Sequence, residues 1–155
     1  MIEIREIKPG EEVLLMDFFR EQPNTKPLLI ETDDRIFLFW DHFRLDGVMI
    51  LRPLSEKICV LIALETARDH GSVQDGLMRT AFNALNKHTV SWVLADTEQV
   101  EKLVALKEHF KPLDQHQDIR SLLEGIGQLL TGHDWLAVST GVIYQGSCNE
   151  GTDAQ

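Results

Sequence analysis

The chain is short of cysteine, of tyrosine and of positive charge. Its two cysteines, Cys59 and Cys148, have neither the number nor the spacing of a disulfide framework or a metal knuckle. Cys59 stands inside an apolar run and reads as a small core residue. Lys and Arg total 15 against 25 Asp and Glu, a formal charge of −10. That deficit excludes a binder of nucleic-acid backbones, which needs a basic patch to release counterions, and a surface drawn to anionic lipid. Any anionic ligand must be held by a local arrangement of donors. No apolar run approaches the roughly 20 residues of a membrane span, and Met1-Ile2-Glu3-Ile4-Arg5-Glu6 does not have the form of a signal peptide. The expected compartment is the cytoplasm, with no membrane partner. What is present suits a globular domain with a sizeable core: 155 residues, 43% hydrophobic and 26% charged. One domain over residues 1–148 is expected, with the small polar residues Asn149 to Gln155 as a disordered tail.

Strand and helix patterns alternate. Ile2, Ile4 and Ile7 mark an opening strand and Pro9-Gly10 a turn. Val13, Leu14, Leu15, Phe18 and Phe19 then recur at helical spacing until Gln22-Pro23. After a loop from Pro23 to Pro27, Leu28-Leu29-Ile30 and Arg35 to Trp40 flank the acidic turn Asp33-Asp34. Asp46-Gly47, a dipeptide suited to a tight hairpin turn, precedes Val48 to Leu51. This section reads as an antiparallel meander, with Asp41-His42 as a solvated hairpin end. Pro53 to Lys57 turns the chain into Ile58 to Leu64, which is apolar at both parities and therefore expected to be a central strand covered on both faces.

Val73, Leu77, Ala81, Ala84 and Leu85 mark one face of a helix ending near Asn86-Lys87-His88, and Val90 to Ala95 reads as a strand. Asp96 with Gln99, and Ser72 with Asp75, have the form of capping boxes. Val100, Leu103, Val104 and Leu106 predict a helix reaching His109-Phe110. The resulting order, β-α-β-β-β-α-β-α, departs from the strict alternation of a dinucleotide-binding fold. Further on, a helix is expected from Asp118 to Leu130, ended or loosened at Gly125-Ile126-Gly127. Strands are expected at Trp135 to Val138 and Gly141 to Tyr144. His109, Asp114, His116 and Asp118 lack the fixed spacing of metal ligands, and no metal site is expected.

One junction carries chemistry. The apolar strand runs through Glu65-Thr66-Ala67 into Arg68-Asp69-His70-Gly71-Ser72-Val73 and then into a helix. Amides at such a helix start, at the positive end of the dipole, form a seat for an anionic group such as a pyrophosphate. The same residues match the Arg and the first Gly of an Arg/Gln-x-x-Gly-x-Gly/Ala motif. Ile2 to Gly10 is similar to a first strand and turn, and Glu108-His109-Phe110-Lys111-Pro112 to a Leu-Gly-Phe segment. Over residues 1–112 the chain therefore resembles the GNAT acyltransferase superfamily.

The resemblance implies an α/β (α+β) fold with a mixed, mostly antiparallel central sheet flanked by helices. It also implies acetyl-CoA or another acyl-CoA as co-substrate and an amine of unknown identity as acceptor. A splay beside Ala63 and Leu64 would receive the pantetheine arm, and the amides of His70, Gly71, Ser72 and Val73, with Arg68 nearby, would hold the pyrophosphate. Glu65, the first ionisable side chain after the apolar run, is the candidate base, because partial desolvation would raise its pKa toward a useful range; the other reading is an exposed strand-end carboxylate. A GNAT-fold binding or regulatory module without catalysis stays open as an alternative. It is favoured by Asp69 and Asp75 beside the seat, by Val73 where Gly or Ala is usual, and by the absence of tyrosine from Asp96 to Phe110. The apolar residues of the C-terminal segment would suit a homodimer contact.

Overall fold

In this computed structural model, residues 1–22, 29–115, 117–123 and 134–141 are described. The elements run β1 (Ile2–Glu6), α1 (Glu12–Glu21), β2 (Arg35–Asp41), β3 (Arg44–Pro53), β4 (Ile58–Thr66), α2 (His70–Lys87), β5 (Trp92–Asp96), α3 (Thr97–Glu101), β6 (Lys111–Pro112), α4 (Gln117–Leu123) and β7 (Trp135–Ser139). Among the described residues the strands form one mixed sheet in the order β1-β2-β3-β4-β5-β7-β6. Every neighbouring pair is antiparallel except β4 and β5.

Alternation along the strands explains the layers. On β2, Phe37 and Phe39 join Met78, Ala81 and Phe82 of α2, whereas Ile36 and Leu38 join Leu15 and Phe18 of α1. Side chains on successive strand positions point to opposite faces, so a strand apolar at both parities needs a helix on each side. β4 obeys the same rule. Cys59 and Leu61 face α2, while Ile58 and Val60 pack with Leu94, Ala137 and Ile119 of α4. Each fully buried Leu or Phe contributes about 1.5–3 kcal/mol, and these faces hold the sheet between its helices. Burial also pushes the Cys59 thiol up to about 11, as fits a core residue.

Four local expectations are corrected. The hairpin between β2 and β3 turns at His42-Phe43, both left-handed with φ of 50° and 69°. Asp46-Gly47 lies within β3 instead. Phe39 pairs with Gly47 and Trp40 with Leu45, which makes Asp46 the extra residue of a β-bulge. Gly47 is required there by close approach, since a Cβ on it would stand 2.4 Å from Val73 Cγ1. Leu29 and Ile30 form no strand, and Leu29 is 82% exposed. The helix expected to reach Phe110 stops at Glu101 as α3, followed by irregular chain and a 3₁₀ turn at Lys107–His109. It stops because Gln74 Oε1 accepts from the amides of Val104 and Ala105, at 2.9 and 3.3 Å, in place of helix carbonyls. Finally, Ser72-Asp75 does not start a helix. α2 begins at His70, with Asp69 as N-cap, and Asp75 pairs with Arg79. The expected features at Leu28, His116, 124–130, 142–144 and the tail lie outside the described residues.

Candidate active site

β4 and β5 stay together for only three residue pairs, Ile58 with Trp92, Cys59 with Val93 and Val60 with Leu94. Beyond them the strands part, β4 continuing to Thr66 beside β3 and β5 to Asp96 beside β7. A second bulge helps. Ile50 pairs with Ala63 and Leu51 with Leu61, so Ile62 is the extra residue of β4. The parting leaves a cleft of about 510 Å³ lined by Ala63, Leu64, Glu65, His70 and Gln99, among others.

Strands that separate leave backbone groups without a ladder partner, and such groups must find one. Gln99 meets one of them, its Nε2 donating to the Ile62 carbonyl at 2.8 Å. Its own Oε1 is buried in this wall with no hydrogen-bond partner. The opposite wall is fixed by Gln74, a buried residue of α2 that lines the cleft and pins the segment at Val104 and Ala105. Asp96 caps α3 by accepting from the Gln99 amide at 2.8 Å, as its spacing predicts. Gln99 does not complete the box, because its side chain is spent across the cleft.

At the mouth of the cleft the chain turns from β4 into α2. Ala67 N donates to the Asp46 carbonyl at 2.8 Å, and Thr66 Oγ1 hydrogen-bonds His70 Nδ1. Asp69 takes the left-handed conformation, with φ of 48°, and makes no side-chain capping bond. The first intrahelical bond is already made by Val73 N to Asp69 O, at 2.9 Å. Val73 therefore has no amide to offer a ligand, and its side chain is buried against Gly47, away from the helix start. The donors that remain are those of His70, Gly71 and Ser72. Gly71 is in the helix, and a Cβ added to it would meet only Val104 Cγ2 at 3.7 Å. The fold itself does not demand glycine there. Arg68 lies outside the cleft lining, with Nε 3.2 Å from Asp46 Oδ1 and its side chain 48% exposed.

Glu65 lies in the cleft wall, half-buried. Burial pushes its carboxyl up from the usual glutamate range, against a smaller downward pull from Lys102, which also lines the cleft. Ala63, Leu64, Glu65 and His70 thus share one cavity, with Gly71 and Ser72 at its helix end. No group of three His, Cys, Asp or Glu side chains converges as metal ligands among the described residues. Sequence patterning did not reveal Gln74, the cross-cleft use of Gln99, or the buried Asp46. The one signal available was a polar side chain, Gln74, next to the apolar stripe of α2.

A mixed sheet that parts between a central strand and its parallel neighbour, beside a helix entered through Arg-x-x-Gly, defines the GNAT fold. No protein-family profile and no curated protein sequence matches the chain. Solved structures do. N-acetylglutamate synthase from Neisseria gonorrhoeae, complexed with coenzyme A and N-acetyl-glutamate, is 14% identical at a TM-score of 0.61 over 90% of this chain and 35% of its own. The chain thus spans about a third of that enzyme's length. Tetrahymena GCN5 is 12% identical at a TM-score of 0.67, over 89% of this chain and 96% of its own. A GNAT family acetyltransferase from Elizabethkingia anophelis with acetyl-CoA bound is 11% identical at 0.52, over 89% and 97%. At such identities the likeness is one of fold, and the mixed, mostly antiparallel sheet flanked by helices expected from the resemblance over residues 1–112 is the one observed.

Proposed function

We propose that the protein is an acyl-CoA-dependent N-acyltransferase that transfers an acyl group, acetyl in the simplest case, to an amine. The observation that carries this reading is the parting of β4 from β5 beside an uncapped helix start, which joins an open strip of backbone to a set of free amide donors. Solved structures of the same fold that hold coenzyme A or acetyl-CoA support it.

The residues present fit such a ligand. An orphaned buried acceptor, Gln99 Oε1, lies in the wall of a cleft that a secondary amide could enter, and Gly71 leaves room for a group to approach the helix start. When bound, the acyl-CoA supplies a thioester carbonyl open to attack. Amides of His70, Gly71 and Ser72 hold negative charge at the positive end of the α2 dipole. Arg68 adds a half-exposed guanidinium beside the helix start that a phosphate could meet. Backbone groups of Ala63 and Leu64 line the arm's path. Glu65 would take, directly or through water, the proton that the substrate ammonium must lose before its nitrogen can attack. The C–N bond would form as the C–S bond breaks and the coenzyme A thiolate leaves, and half-burial raises the proton affinity of Glu65 for that role.

Calorimetric titration with acetyl-CoA tests this reading, using the wild-type protein and an Arg68→Ala, Gly71→Val variant of confirmed fold. Micromolar binding that is lost in the variant is expected. No binding by the wild type overturns the reading and leaves a binding module of GNAT fold in its place.

A further inference from the structure

A carboxylate inside a sheet needs partners, because an unpaired buried charge is expensive. The Asp46 side chain is 2% exposed. A bulge is a device that re-aims a side chain, and here it brings Asp46 to two arginines. Arg44 donates through Nε and Nη2 at 2.8 and 3.1 Å, and Arg68 Nε lies 3.2 Å from Oδ1. The same residue's carbonyl accepts from Ala67 N, and the next residue, Gly47, bears on Val73 in the first turns of α2. Main chain and side chain at one position of β3 therefore grip the turn that opens the helix. The local contact across the turn is the Thr66 Oγ1–His70 Nδ1 hydrogen bond, while Asp69 is left-handed and caps nothing with its side chain.

We infer that Asp46 is a positioning residue for the anion seat. It fixes the turn over residues 67–71 and holds Arg68 by Nε, so that the two Nη groups are presented to the ligand; the ligand named here rests on the acyl-CoA reading above. Asp46 touches no substrate and acts through Arg68 and the turn.

Asp46→Asn separates position from charge, because the two predict opposite signs. Removing a carboxylate beside the seat adds positive potential and by itself tightens an anion. Loss of positioning weakens it. The expected result is a rise of roughly tenfold in the Kd and KM for acetyl-CoA with kcat little changed, as for a misplaced binding group. In an Arg68→Gln background the Asp46→Asn change should no longer weaken binding, since the positioning acts through that one contact and only the charge effect is left. In the ligand-free protein, amide hydrogen exchange should quicken at residues 67–71 while Leu77 to Leu85 of α2 keep their protection. Arg68→Gln alone leaves Asp46 paired with Arg44, so it remains usable if Asp46→Asn does not fold, and it should quicken the same amides. Binding that is unchanged or tighter in Asp46→Asn overturns the inference, as does exchange that is unchanged or faster throughout the domain. If the wild type takes no acetyl-CoA, the acyl-CoA reading fails on that ground, and the exchange at residues 67–71 alone decides whether Asp46 anchors the turn.

Discussion

Glu65 shows how a carboxylate's surroundings set its affinity for a proton. It stands in a cleft wall with burial raising its pKa and Lys102 partly opposing the rise. As a base it must be ionised, so kcat/KM for the amine should climb with pH through a value above the ordinary glutamate range. Glu65→Gln should lower kcat/KM by about 10²–10⁴-fold and abolish that limb, which steady-state rates from acid to neutral pH will show. Stability carries the opposite mark. A carboxyl raised in the folded state favours folding at low pH, and that contribution is lost as pH rises through its folded value. Glu65→Gln should therefore raise the urea midpoint at neutral pH while lowering activity, a pairing that a simple packing residue would not give.

Between elements, β3 comes close to α2 at Gly47. A methyl there meets Val73 Cγ1 at 2.4 Å and Leu77 Cδ1 at 3.0 Å. Gly47→Ala should cost about 1–3 kcal/mol by overpacking, read as a lower urea midpoint with an unchanged slope. The order of elements was legible in the sequence because hydrophobic period reports local face burial. Ile58 to Leu64 announced a central strand and Val73 to Leu85 a helix on its face. What sequence did not disclose depends on partners far along the chain. Asp46-Gly47 carries the letters of a turn, yet those letters serve equally for a bulge and a close helix contact. α3 ends early because Gln74, from another helix, takes the amides that would have continued it. Within the site the same division holds. Glu65 and His70 were visible from their place after a buried strand, whereas Gln99 and Asp46 gain their meaning only across the sheet.

At the scale of the whole molecule, the charge of −10 opposes the arrival of a polyanion even where a local seat would hold it. The association rate of acetyl-CoA should accordingly rise between low ionic strength and about 0.15 M, where the Debye length falls to about 8 Å. Stopped-flow mixing at several salt concentrations checks this, and a rate that falls with salt would mean that the field of Arg44, Arg68 and the α2 terminus dominates. The three-pair seam between β4 and β5 has a consequence for the history of each molecule. Parallel neighbours cannot be joined by a hairpin, so α2 must cross over before they meet. The meander from β2 to β4 can zip from adjacent turns, but the cleft is born only when the later half of the chain docks on the earlier one. A ligand in that gap would touch both banks, so it would bind only molecules in which the two strands have already met.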